Sequence, residues 1–208
     1  MILFFPFNET APARIVMGDQ AGGAPMSEDQ SRDEWWMAEV AKGQREALEP
    51  LIRRFATPLL TFLERMTGDR HRAEELFQEV FFAVWKNRGQ YQYPRPFKSW
   101  LFAIALNQCR VAFRQRAPLT EPLVAEQVPA LPGASPAEAA IATETATLVS
   151  QAVATLPTQQ RSVVALRVWQ QLSYAEIADI VGTTEGTVRS HMHHALLALR
   201  KYLEPRLG

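Results

Sequence analysis

Apolar residues in the last third of the chain recur at intervals of three and four. In "SYAEIADIVGTTEGTVRSHMHHALLALRKYL", Ala175, Ile177, Ala178 and Val181 give a short helix its buried side. Val188, Met192, Ala195 and Leu199 do the same for a longer helix after it. Ser173 with Glu176 makes a capping box at the start of the first. Gly182 suits the left-handed residue that stops it, and Thr183 or Thr184 can cap the second. Helices joined by so short a corner must cross steeply, as in a helix-turn-helix. There the first turns of the second helix meet base edges in the major groove. Here those turns carry Thr184, Glu185, Gly186, Thr187, Arg189 and Ser190, with His191, His193 and His194 following.

The same period runs through residues 33–116 and predicts four more helices. Glu34 to Lys42 is short and ends at Gly43. Gln44 to Thr67 carries Leu48, Leu51, Ile52, Phe55, Leu59, Leu60, Leu63 and Met66, and stops at Gly68. Pro50 falls in its first turns, where proline is tolerated, but Pro58 is expected to kink or divide it. A third helix is predicted from Asp69 to Asn87, and a fourth from Pro96 to Arg116 with Pro96 at its first position. No segment alternates as a strand would. The expected fold class is all-α.

Charge divides the chain. The net charge is zero, yet from Val80 to Arg116 there is no acid, and Lys86, Arg88, Arg95, Lys98, Arg110, Arg114 and Arg116 give +7. From Ala117 to Gln160 there is no Lys or Arg, and Glu121, Glu126, Glu138 and Glu144 give −4. Pro118, Pro122, Pro129, Pro132 and Pro136 fall in that stretch, which reads as a flexible acidic linker. Two small helical domains are therefore expected, 33–116 and 138–206, joined by residues 117–137. Residues 1–32 open with the apolar but unflanked MILFFPF, a poor signal peptide, and read as a disordered extension. Met17 and Met26 are alternative starts. The single cysteine, Cys109, excludes an internal disulfide, fits the reducing cytoplasm and reads as core filler. No apolar run reaches the length of a membrane span, so no membrane insertion is expected.

Within the basic stretch nine aromatics accompany the seven cations. Phe81, Phe82, Trp85 and Phe102 sit in apolar helical patterns and read as core. Tyr91 and Tyr93 in a Gly/Pro loop, with Lys98 and Trp100 on the next helix start, suit a different role. Cations track a phosphate backbone while aromatic faces stack on unpaired bases, the combination that binds single strands. The third helix instead displays Glu74, Glu75, Gln78 and Glu79 beside Leu76, Phe77 and Val80. That face is either a solvated acidic surface or a docking surface for a basic protein helix. Three histidines on one exposed helix make a poor metal site, since structural zinc wants four convergent ligands. Phosphate contacts fit them better, and no metal or other cofactor is expected.

These segments resemble a known family. "AEELFQEVFFAVW" is similar to the core-polymerase-binding helix of bacterial RNA polymerase sigma factors. "PRPFKSWLFAIALNQCRVAFRQR" resembles the promoter-melting helix that follows it, and the stretch from Leu156 to Leu203 resembles the family's helix-turn-helix. Two domains alone point to the extracytoplasmic-function (ECF) class. The resemblance implies that Glu75, Leu76, Gln78, Glu79 and Phe81 dock on core polymerase. It implies that Tyr91, Tyr93, Arg95, Lys98, Trp100, Asn107, Arg110 and Arg114 open and read the single-stranded −10 element. Thr184, Glu185, Gly186, Thr187, Arg189, Ser190, His191, His193 and His194 would lie on the double-stranded −35 element. The linker would thread the polymerase cleft, and an anti-sigma factor would be a further partner. Glu75 stands where the pattern usually has Asp, and His191 where it usually has Arg. The resemblance implies an initiation subunit rather than an enzyme, and no nucleophile–base pair or phosphate loop argues otherwise. A response-regulator DNA-binding module would share the helix-turn-helix but leaves the acidic helix and aromatic loop unexplained.

Overall fold

Glu34 is buried, at 2 % exposure, and its Oε1 accepts the backbone N–H of Phe97 at 3.1 Å. That bond belongs to a computed structural model describing residues 28–115 and 136–207. It links α1 (Glu28–Ala41) to the first residue of α4 (Phe97–Gln115). Asp33, also buried, pairs with Arg54 at 3.1 Å. Helix α1 thus begins at Glu28, inside the stretch expected to be an extension. Met37 and Val40 bury its second half in the core, and the long-range partners of Asp33 and Glu34 hold its more polar first half.

After a 3-10 turn at Arg45–Ala47, α2 (Leu48–Thr67) runs unbroken through Pro58. The expected division does not occur. Leu51 and Phe55 before the proline and Leu59, Phe62, Leu63 and Met66 after it are all buried along one side. Burying side chains of this size stabilises by about 1.5–3 kcal/mol each, which outweighs the roughly 3 kcal/mol that an interior proline costs. Gly68 ends the helix at φ 71, its N–H donating to the Glu64 carbonyl. Asp69 then caps α3 (Arg70–Lys86) by accepting the Arg72 N–H at 3.1 Å. Edge-to-face rings, Phe62 on Phe102 and Phe55 on Phe97, join α2 to α4.

The second half comprises α5 (Pro136–Ala154), α6 (Thr158–Val164), α7 (Tyr174–Val181) and α8 (Glu185–Leu207). Helix α6 continues into a π-helical turn, Ala165–Trp169, and Gln171 then takes a left-handed φ of 55°. Arg161 gathers the ends of three segments: its guanidinium donates to the carbonyls of Met66, Ala154 and Leu156. The capping box is present, with Ser173 N donating to Glu176 Oε2 at 2.8 Å and Glu176 N to Ser173 Oγ at 3.2 Å. Gly182 is left-handed at φ 78. Thr184 caps α8 by accepting the Thr187 N–H. Val188 and Ala195 are fully buried, as the spacing predicts, but Ala175 is exposed and Ile180 takes the buried place on α7.

The two helical domains pack on one another. The π-helical turn packs on α2 and α7 packs on α4, so that Leu166, Leu172, Ile177 and Val181 join the core of α2, α3 and α4. Helix α5 begins at Pro136, two residues inside the expected linker. Residues 117–135 and Arg116 lie outside the described residues, as do 1–27.

Candidate nucleic-acid interface

Three surfaces carry the residues singled out above. On α3, Glu75, Gln78 and Glu79 are exposed at the spacing of one helical stripe. Phe82, expected in the core, extends the stripe at 69 % exposure. Leu76 and Phe81, expected to dock, are buried against α2 and α4 instead, because they lie on the inward side of the helix with Ala73, Val80 and Val84. Glu75 pairs with Arg72 at 2.6 Å. An open groove of about 560 Å³ beside the stripe is lined by Glu79, Phe82, Lys86, Asn87, Gln90 and Gln108.

The second surface is the loop before α4 and the outer side of that helix. Tyr91 is 7 % exposed and Trp100 8 %, their rings edge-on with centroids 5.4 Å apart. Both were expected to stack on bases; in this packing they close the core over Phe97. The Tyr91 hydroxyl donates to the Arg95 carbonyl, and burial pushes its pKa up. Tyr93 differs: at 61 % exposure it stands in solvent with Arg95. Asn107 and Arg114 are exposed as well. Lys98 and Arg110 are half-buried because they reach the second half. Lys98 Nζ donates to the Gln170 carbonyl at 2.6 Å, and Arg110 Nη2 to the Val181 carbonyl at 3.1 Å. Burial lowers the pKa of both, and nearby Arg114 lowers that of Arg110 further.

The third surface is the start of α8. Glu185, Gly186, Thr187, Arg189, Ser190, His193 and His194 are exposed together with the capping Thr184, and His191 is half-buried. Arg189 donates to Glu185 Oε2 at 3.0 Å. Its guanidinium also lies over the Tyr174 ring, which Arg167 approaches to 5.0 Å. Tyr174, Phe82 and Gln170 were missed as candidates. Phe82 had a signal, since it falls on the Glu75/Gln78/Glu79 stripe at i+3 from Glu79. The other two are legible only once the halves and helices are packed. Among the described residues, no group of three or more His, Cys, Asp or Glu side chains could hold a metal ion. None of the helices there is long and apolar enough to cross a membrane.

The family model for sigma-70 region 2 matches residues 51–118, and that for sigma-70 region 4 matches 146–199. The ECF sigma factor ShbA of Streptomyces griseus is 36 % identical over 68 % of this chain and 78 % of its own. The ECF sigma factor SigM of Mycobacterium tuberculosis is 30 % identical, covering 84 % of this chain and 86 % of its own. SigW of Bacillus subtilis is 29 % identical over 79 % of this chain and 93 % of its own. Among solved structures, the sigma factor RpoE of Bartonella quintana, in complex with the anti-sigma factor NepR, is 22 % identical with a TM-score of 0.65. It covers 76 % of this chain and 96 % of its own. With both sigma regions matched in order and relatives covered over most of their length, the chain belongs to the ECF class of bacterial RNA polymerase sigma factors.

Proposed function

We propose that the chain directs core polymerase to its promoters through the three surfaces described, acting in the cytoplasm. Glu75, Gln78, Glu79 and Phe82 dock on a basic helical surface of the polymerase. Tyr93, Arg95, Lys98, Asn107, Arg110 and Arg114 take the opened strand of the downstream element, with Tyr93 as the stacking ring. Tyr91 and Trp100 hold the loop and helix in place. Thr187, Arg189 and Ser190 read the duplex of the upstream element, and His191, His193 and His194 contact its phosphates. An anti-sigma factor holds the protein inactive until a signal releases it, as the complex of the Bartonella relative with NepR suggests.

The observation that carries this reading is the exposed start of α8. Small and polar side chains there leave the helix end open for a groove, beside one well-supported arginine. The test is transcription in vitro: purified protein added to core polymerase should initiate at a specific promoter. Non-specific initiation alone would refute it.

A further inference from the structure

A cavity of about 610 Å³ lies at the joint between the two halves, within the size range of small-molecule sites. Helix α1 supplies Asp33 and Glu34 to its wall, α2 supplies Arg54 and Phe55, and Lys98 comes from the first turn of α4. From the second half, the π-helical turn brings Trp169 and α7 brings Glu176. The far wall is fixed in place. Gln170 Nε2 donates to the Pro58 carbonyl at 3.1 Å, and Arg65 lies 4.8 Å over the Trp169 ring.

The charged groups of the wall are matched except at one point. Arg54 Nε pairs with Asp33 Oδ2 at 3.1 Å, and Lys98 Nζ donates to the Gln170 carbonyl at 2.6 Å. Glu176 Oε2 accepts the Ser173 N–H of the capping box, and its Oε1 stands 3.5 Å from Ser99 Oγ. Glu34 uses Oε1 to accept the Phe97 N–H, while its Oε2 is buried and has no hydrogen-bond partner. A buried polar group without a partner is costly, and a charged one most of all. Three acids against two bases also leave the lining with a net charge of −1. What the wall lacks is a positive donor.

We propose that this cavity binds a small organic monocation, a primary ammonium carried on a flat apolar body. The ammonium pairs with Glu34, whose Oε2 supplies the acceptor, and neutralises the excess acid of the lining. The body rests on the Phe55 and Trp169 rings, which supply the apolar part of the wall. A metal ion fits less well, because Arg54 and the capping box already engage Asp33 and Glu176. An anion would meet the acids and find both cations engaged. Of the residues assigned to polymerase or to DNA, Lys98 alone lines the cavity. Binding there is therefore an activity apart from docking and promoter reading.

The experiment uses the full chain and three probes that share one indole body: tryptamine, a cation; tryptophol, neutral; and indole-3-propionate, an anion. Calorimetric titration measures each affinity, and circular dichroism checks that the helices persist. Tryptamine is expected to bind saturably with a dissociation constant on the order of millimolar, as a ligand of this size can. The other two are expected to bind about tenfold more weakly or worse. Glu34→Gln keeps an acceptor for the Phe97 N–H and removes the charge, while Thr61→Phe fills the cavity from α2 and leaves every charge in place. Each is expected to weaken tryptamine binding by about tenfold or more. Equal affinity for all three probes would overturn cation recognition, and the absence of saturable tryptamine binding would overturn the site. Undiminished binding by Thr61→Phe would place the amine elsewhere, and undiminished binding by Glu34→Gln would overturn its pairing with Glu34. Should Glu34→Gln unfold, Thr61→Phe and the ranking of the three probes decide.

Discussion

The guanidinium of Arg189 lies 4.7 Å above the ring of Tyr174, and the same group donates to Glu185 Oε2 at 3.0 Å. Arg189 therefore leaves α8 supported from two sides, one residue from its own helix and one from the helix before. A long, flexible side chain held in this way gives up less freedom when it binds a base. Removing a bidentate contact to guanine costs about 1–3 kcal/mol and relaxes specificity at that base pair. Arg189→Ala is expected to lower transcription most at promoters matching the preferred upstream element, and Arg189→Lys to restore it only in part. Tyr174→Ala is expected to cause a smaller loss at the same base pair, about 0.5–1 kcal/mol, while Tyr174→Phe retains the support. A library of single-base variants read at two salt concentrations checks this. An equal loss across the library would make Arg189 a phosphate anchor.

Exposure separates docking from packing on α3. Gln78→Ala with Glu79→Arg is expected to abolish association with core polymerase and leave the helical signal unchanged. Phe82→Ala is expected to weaken it by about tenfold or more, as loss of an aromatic anchor does. Leu76→Ala instead is expected to lower stability by about 2–5 kcal/mol, being fully buried. A pull-down with core polymerase beside a urea titration distinguishes the two classes. Undiminished binding by the double variant would reassign the acidic stripe to solvation.

The loop separates in the same way. Tyr93→Ala should weaken promoter melting by about 1–3 kcal/mol, the worth of one base stack. Tyr91→Ala and Trp100→Ala should show up first in thermal stability, since their rings close the core. Permanganate footprinting next to a melting curve reads both. Normal open complexes in Tyr93→Ala would return that ring to an ordinary surface role.

Cys109 gives a prediction in pH. Burial pushes its thiol up from an ordinary 9.0 to about 12. Above about pH 9 the unfolded chain gives up a proton that the folded chain keeps until about pH 12. The unfolded state then binds fewer protons, so stability falls as pH rises through that window. Native protein should resist iodoacetamide at pH 9, and Cys109→Ala should flatten the alkaline loss of stability. Rapid alkylation of the folded chain would show that the thiol is reached by solvent.

Periodicity revealed most of the helices because their buried sides are continuous and their ends carry strong signals. Gly68, Gly182 and the Ser173/Glu176 box fall at the boundaries they predicted. Local pattern failed where distant partners decide. Pro58 looked like a break because the local cost of proline is legible and the burial on both sides of it must be summed. Nothing local marks Asp33 and Glu34 as buried, since their partners stand far along the chain at Arg54 and Phe97. Composition could not sort Tyr91 from Tyr93, since one loop carries both and only the core beneath Tyr91 tells them apart. The same limit hid the joint. Lys98 and Arg110 have the charge and position of DNA contacts, and nothing near them in sequence points to the carbonyls they hold.

The bond from Glu34 to Phe97 sets where the protein can be shortened. Every helix of the first half except α1 lies after Arg45, so a truncation to that point would keep the whole matched sigma region 2. It would also strip the carboxylate from the start of α4 and uncover Arg54. Trimming to Met26 removes neither, because Glu28 already begins the helix that carries Asp33 and Glu34. The edge of the folded unit is thus set by two acids upstream of the matched sigma region 2, and a chain shortened past them would lose the footing of α4.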